Sequence, residues 1–459
     1  MKRNPHYHHI NIGNEHVLYP DTAGVTLGLK PVTLNNTGAF LWENASDCDR
    51  AALIQKAVSC YDVTADEVEA LSGDINAFID SLYDSRAFIN DVEVSDQKAS
   101  DKIASDKTVS SETVSIEKEY EQNTINYTES SDMSPVPSQY TVGGIALSFS
   151  CIPALTEVLS DMLSRYFDRF RTTVSTGSSG CNKTNAHSGI GSHSDGTGNT
   201  DKPVQHIFMD KATPFKDCCS NNLPPAIFES NEISMYDAVE RYCLRFGSEA
   251  FNFLDCILVT KDFEKVTVCL NTNDIITESL FLSLRFPFML KAATENRYML
   301  HSSSLLYRDR VFCFSAPSGT GKSTHTNMWQ KLFGSVLING DLNLIGFDES
   351  GGEYLVYGTP WCGTSGICDT EVRILGGIVF IKRSHIPAAE EIPYPRNVLA
   401  TANRLISPSL GASETHAKFD FLNKMCSSHK IITATLHANM EDETALLMRS
   451  FIDNTVSCM

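Results

Sequence analysis

The run Ala316-Pro-Ser-Gly-Thr-Gly-Lys-Ser-Thr324 has the composition of a loop built to hold phosphate. Glycines at 319 and 321 let a backbone wrap an anion without interference from a Cβ. Successive N–H groups then converge as an anion nest, and a helix starting behind them adds the positive end of its dipole. Lys322 would neutralise β/γ-phosphate charge, and Ser323 would offer its hydroxyl to magnesium. Ser318, Gly319, Thr320, Gly321, Lys322, Ser323 and Thr324 are therefore the expected nucleotide ligands, with ATP or GTP and Mg2+ as the implied cofactors. Ala316 stands where such loops usually begin with glycine, so that position must tolerate a side chain.

Such a loop needs a strand before it and a helix after it. Val311–Ser315 is a short apolar strand, and Thr324–Phe333 carries Met328, Trp329, Leu332 and Phe333 at helical spacing before the stop at Gly334. A second strand, Ser335–Ile338, runs into Asn339-Gly340-Asp341. An acid ending a strand beside the loop strand can be a magnesium-linked carboxylate or a general base, although Asn-Gly-Asp is also turn-prone. Upstream, Met299-Leu-His301 begins a strand that the turn Arg308-Asp309-Arg310 folds back into the loop strand, which would end His301 near the phosphates. Gly358–Gly363 reads as a tight loop lining the pocket, anchored by Trp361, and Arg373 and Arg383 are candidates for stabilising phosphoryl charge.

His301-Ser-Ser-Ser, Ala316–Thr324, Asn339-Gly-Asp341 and Gly358-Thr-Pro-Trp-Cys-Gly363 together resemble the HPr serine kinase and phosphoenolpyruvate-carboxykinase-like P-loop group. The resemblance implies a mixed α/β P-loop kinase-like domain over residues 293–455. It implies catalytic roles for His301, Lys322 and Asp341, a metal site of Ser323 and Asp341, and a homo-oligomer. The family pairs two acids where this chain has Gly340-Asp341, which leaves either one carboxylate serving both magnesium and proton removal, or a reaction that relies on positioning alone. A carboxykinase proper is disfavoured, because its lysine/histidine manganese constellation is missing.

Residues 8–90 hold no nucleophile–base pair, glycine-rich loop or metal cluster, so a binding role is expected. Val17–Tyr19, Val25–Leu29 and Val32–Leu34 read as extended segments, followed by a helix over Asp49–Tyr61. The capping box Thr64–Glu67 opens another helix. Leu34-Asn-Asn-Thr-Gly-Ala-Phe-Leu-Trp42 and the two amphipathic helices resemble PqqD-like domains, which are winged-helix-like and bind the leader of a ribosomally made precursor peptide. That resemblance implies leader addition as a strand to the small sheet. Asn35, Thr37 and Gly38 read individually as a turn or cap, and Phe40, Leu41 and Trp42 as core.

Residues 91–138 are rich in Ser, Asp, Glu, Lys and Thr and read as a disordered linker. Residues 139–292 read as a mixed α/β accessory region, with a Gly/Ser-rich flexible loop over 172–203. Its strands are expected at Val204–Met209, Ala250–Val259 and Val266–Leu270, with a helix over Ile152–Phe170. His187 and His193 in the loop lack partner ligands at a defined spacing. The net charge of −19 argues against nucleic-acid binding. Without a signal sequence, a long apolar run or a C-x-x-C pair, the 14 scattered cysteines fit a reduced, cytoplasmic chain with no membrane partner.

The resulting expectation is an α+β multidomain protein that transfers the ATP γ-phosphate to a serine of a precursor peptide. Its alternatives are a non-catalytic nucleotide-binding peptide chaperone, and a P-loop phosphotransferase or ATPase acting on a small metabolite.

Overall fold

The computed structural model describes residues 1–45, 48–60, 68–89, 132–172, 203–211, 226–230, 232–238 and 240–456. Most of the expected linker, the capping box Thr64–Glu67, and His187 and His193 lie outside the described residues. What is described is a mixed α/β chain with two large sheets and two small N-terminal ones.

The N-terminal unit runs β1 (Lys2–Arg3), β2 (Tyr7–Ile12), β3 (Glu15–Pro20), α1 (Thr22–Thr26), β4 (Val32–Leu34), α2 (Asn36–Asn44), α3 (Arg50–Cys60), α4 (Val68–Asp84) and β5 (Phe88–Ile89). Its three-stranded sheet has the order β2-β3-β4. Gly13, at φ +61°, allows the tight turn of the first hairpin. The extended segment expected at Val25–Leu29 is instead the single turn of α1 and its exit. Asp21 caps that turn by accepting the Gly24 N–H at 2.7 Å, a local hydrogen bond that a strand could not use. Asn35 likewise caps α2 through Gly38, and Leu41 and Trp42 are buried, with Trp42 stacked on Phe88.

The middle region holds β6 (Ser134–Pro135), β7 (Gln139–Val142), β8 (Ile145–Cys151), α5 (Thr156–Met162), β9 (Arg171–Thr172), β10 (Val204–Lys211), β11 (Ala226–Glu229), β12 (Ile233–Ala238), β13 (Arg241–Phe246), β14 (Leu254–Thr260) and β15 (Lys265–Leu270), then α6 (Thr277–Ser283) and α7 (Arg285–Thr294). The sheet order is β11-β12-β13-β14-β15-β10-β8-β7-β9, with β6 also on β8, so residues 134–135 are already paired before the expected linker end. The strand expected from Ala250 begins only at Leu254, because Ser248 caps a 3-10 turn over Glu249–Phe251. The helix expected over Ile152–Phe170 loosens after α5 into a π turn, Leu163–Phe167.

The C-terminal region comprises β16 (Tyr298–His301), β17 (Ser303–Tyr307), β18 (Arg310–Ser315), α8 (Lys322–Phe333), β19 (Val336–Asn339), β20 (Leu342–Asp348), β21 (Glu353–Tyr357), β22 (Arg373–Arg383), β23 (Ala388–Glu391), α9 (Arg396–Ala402), α10 (Ala412–Ser427), β24 (Ile432–Ala438) and α11 (Asp442–Val456). The sheet order is β16-β20-β21-β22-β18-β17-β19, and β18, β22 and β24 run parallel. These parallel strands are covered on both faces, as their continuous apolar sequences require. Phe312, Phe314, Val379 and Ile381 face a core with Trp329 of α8 and Met448 and Ile452 of α11. Val311, Cys313, Ile378 and Phe380 face the other way, onto Phe419 and Leu422 of α10.

That second core also takes in Ile10, Ile12, Val17 and Tyr19 of the N-terminal hairpin. The N-terminal unit is thus packed into the C-terminal region. A further core joins the middle sheet to Leu342, Leu344 and Trp361. Among the described residues no helix is long and apolar enough to cross a membrane.

Candidate functional site

The phosphate-loop sequence sits between β18 and α8, at the carboxyl end of the central parallel strands, where open α/β sheets form their crevices. Gly319 and Gly321 take φ of +72° and +116°. A Cβ at Gly319 would meet nothing within 4 Å, so backbone conformation alone makes that residue a glycine. Ala316 is buried and keeps a negative φ, which accounts for its side chain where glycine was expected. Ser318 is exposed on the turn and Ser323 in the first turn of α8, while Thr320 and Thr324 are half-buried.

Gly319, Thr320, Gly321 and Thr324 line a cavity of about 600 Å³, together with Arg383 and Asn439 from the ends of β22 and β24. Arg383 hydrogen-bonds to the Gly319 carbonyl. Arg373 lies at the opposite end of β22, ion-paired with Asp369 and Glu371 at 2.7 and 2.8 Å, and is therefore not brought to the loop.

His301 and Asp341 reach the loop by a route that differs from expectation. The strand ending at Asn339 pairs with β17 rather than with the loop strand β18. β16 and β17 form one line of chain interrupted at Ser302, and β19 and β20 another interrupted at Gly340–Asp341. β17 pairs with β19, but β16 pairs with β20. Both lines turn a corner at the same place, where the Ser302 N–H donates to the Asp341 carbonyl at 2.8 Å.

Two buried asparagines hold this corner. Asn343 donates to the Ser302 carbonyl at 2.6 Å and accepts from Ser304 at 2.6 Å. Asn339 Oδ1 accepts the N–H groups of Asp341 and Leu342. Ser315 donates to the His301 carbonyl at 2.7 Å, which ties the corner to the end of β18.

The corner places His301 Nε2 at 3.2 Å from Asp341 Oδ1 and 3.1 Å from Lys322 Nζ. Lys322 also donates to the Ala316 carbonyl at 3.2 Å. The His301 hydrogen bond holds the Asp341 carboxyl below the ordinary carboxylate range. Burial opposes that shift, and the charges of His301, Lys322 and Arg285 reinforce it. Burial pulls the Lys322 ammonium down, against the attraction of Asp341, and Arg404 adds to the lowering. Lys322, His301 and Asp341 are thus one electrostatic unit.

Gly340, where a second acid was expected, has no room for one. A Cβ there would overlap the Ser365 side chain and lie 2.9 Å from the Cys362 carbonyl. The Gly358–Gly363 loop continues into the turn that fills this space. Gly363, at φ +62°, packs against Asp341, and Trp361 is buried against Phe281 and Phe288. Asp341, with its carboxylate, and Ser323, with an exposed hydroxyl, are the side chains that would hold magnesium beside nucleotide phosphates. Among the described residues no cluster of three His, Cys, Asp or Glu could hold a metal by itself.

Sequence reading missed Arg285, Arg404 and Asn343, and gave Asn339 no role beyond the motif Asn-Gly-Asp. Lone arginines on a helix and in a loop have no spacing signal. Asn343 reads as one polar residue in a strand, and its role depends on a corner that only strand pairing creates.

No family model and no curated protein matches the chain. Among solved structures, the Hpr(Ser) kinase/phosphatase from Coxiella burnetii is similar at 10% identity and a TM-score of 0.17, over 34% of this chain and 88% of that one. No comparison supports the resemblance expected for residues 8–90.

Proposed function

We propose that this chain is an ATP-dependent serine kinase of a ribosomally synthesised precursor peptide, with the leader held by residues 8–90. The observation that carries this reading is the Lys322–His301–Asp341 cluster at the start of the helix behind the loop. The loop amides and Lys322 hold the β- and γ-phosphates. Ser323 and Asp341 would hold magnesium against the phosphates, where the ion would supply charge neutralisation.

The acceptor hydroxyl oxygen bonds to the γ-phosphorus as the bond to the β–γ bridging oxygen breaks and ADP leaves. The hydroxyl proton passes to the Asp341 carboxylate, which the His301 hydrogen bond keeps ionised before the reaction. His301 orients that carboxylate and shares its charge with Lys322.

Leader binding is best supported at β4. The outer edge of β2 is covered by α10, with His416 Nε2 3.2 Å from the His9 carbonyl and Asn423 donating to the Asn11 carbonyl at 3.0 Å. Among the described residues β4 pairs only with β3, which leaves its other edge for an added strand. Packing of the hairpin into the C-terminal core replaces a flexible tether as the means of presenting the peptide.

The direct test is mass spectrometry of the cognate precursor after incubation with Mg-ATP and either wild-type or Lys322→Ala protein. Phosphopeptide formed by the wild type alone supports the reading. No phosphopeptide from either protein sinks it. Gly340 favours a second reading, a nucleotide-binding peptide chaperone without turnover, since its surroundings exclude the second acid. That reading predicts nucleotide and leader binding with no phosphate transferred.

A further inference from the structure

A second cavity, of about 560 Å³, carries Asp341 on its wall. It is built jointly by the π turn after α5, by α6 and the start of α7, and by the Pro360–Cys368 segment. One wall is an aromatic ladder. Tyr166 stacks on Phe281 with centroids 4.1 Å apart and planes 5° apart, and Phe281 stacks on Trp361 at 5.7 Å and 13°. π turns within helices cluster at functional sites, and this one supplies Tyr166.

Two of the guanidiniums lining the cavity form no ion pair among the described residues. Arg165 is paired with Asp161 at 2.7 Å, and Asp168 with Arg171 at 3.2 Å. Arg169 and Arg285 have no carboxylate within 4 Å among the described residues, and Arg169 donates only to the Cys368 carbonyl and sulfur. Arg285 is half-buried and lines the same cavity as Asp341. The lining carries Arg165, Arg169 and Arg285 against Asp168, Glu278 and Asp341, so its formal charges cancel, and Arg169 and Arg285 are the guanidiniums left without a carboxylate partner within 4 Å among the described residues. Guanidinium groups match carboxylates in planar, paired hydrogen bonds.

We infer that this cavity is the acceptor site, and that it selects a hydroxyl carried next to a carboxylate, held by Arg285 and Arg169 while the hydroxyl faces Asp341. The assignment rests on the kinase reading for the word acceptor, whereas carboxylate recognition stands apart from it. It gives the middle region a role, since α6, α7 and the π turn form the wall opposite the loop.

The test uses the full chain with Mg2+ and a non-hydrolysable ATP analogue, and three probes followed by calorimetry. Acetyl-Ser-Glu-amide carries a side-chain carboxylate, acetyl-Ala-Ser a terminal one, and acetyl-Ser-Gln-amide none. At least one acidic probe is expected to bind about tenfold or more tightly than the neutral one, and which does so identifies the source of the carboxylate. Arg285→Gln and Arg169→Gln should each reduce that preference without changing nucleotide affinity, and Arg285→Lys should keep part of it. Equal binding of all three probes overturns the inference, as does a preference that survives both Gln substitutions. Acid-selective binding with no phosphate transferred from Mg-ATP to any probe or precursor would instead sink the kinase reading and leave the carboxylate site standing.

Discussion

Lys322 Nζ lies 3.1 Å from His301 Nε2, and the same nitrogen is 3.2 Å from Asp341 Oδ1. One ring nitrogen cannot both accept from the ammonium and donate to the carboxylate, so a nucleotide that draws Lys322 onto its phosphates frees His301 to donate to Asp341. Lys322→Ala should weaken nucleotide binding by about tenfold or more, the scale of a charge-assisted hydrogen bond. His301→Asn should leave nucleotide affinity within about threefold and lower phosphate transfer much further. Fluorescent-nucleotide titration beside a transfer assay separates the two, and equal loss of affinity in both variants would contradict this division.

Gly340→Asp would look like the restoration of a missing acid. The overlap of the new Cβ with Ser365, and its 2.9 Å approach to the Cys362 carbonyl, predict a less stable protein instead. A cost of about 1–3 kcal/mol is typical of such overpacking. Adding Ser365→Gly should recover part of the melting temperature but not all, because the carbonyl remains. A single variant as stable as wild type and more active would show that the corner can open.

Lys418 is buried beneath Tyr19, where the hairpin meets α10, and burial lowers its ammonium to about 8 against the attraction of Asp21. Below pH 8 both folded and unfolded chains carry the proton, and the full burial cost stands. Between about 8 and the ordinary lysine value near 10.4 the unfolded chain binds more protons, so this group makes stability rise with pH. Lys418→Met should stabilise the protein near pH 7, by on the order of 3 kcal/mol at most, and remove that rise. Urea midpoints of both proteins at pH 7 and pH 10 measure the difference, and parallel shifts would place the titration elsewhere.

Deleting residues 1–90 should do more than remove a binding unit. Ile10, Ile12, Val17 and Tyr19 belong to the core that covers β18 and β22, and Tyr19 packs on Phe419 at 4.5 Å. The truncated chain should melt lower and expose apolar surface, read as increased binding of a hydrophobic dye. A truncated chain as stable as the whole would mean that the hairpin contributes nothing to that core.

The loop Ala316–Thr324, its strand and its helix were legible in sequence because each depends on neighbours along the chain: glycines at positive φ, a continuous apolar run, a glycine stop. The caps at Asn35 and the strands at Val32 and Val204 are local in the same way. Val25–Leu29 misled because the Asp21 side chain competed for the backbone, a contest that composition does not reveal. His301 and Asp341 could be nominated from sequence, but their meeting was decided by tertiary structure, since two strand lines must exchange partners at Ser302 and Gly340. The same corner left Gly340 without room for a side chain, and packing of the middle region against Trp361 brought Arg285 into the same cavity as Asp341. Local conformation follows from side chains a few residues apart, whereas a site assembled from distant segments follows from strand pairing and core packing, which no short window of sequence contains.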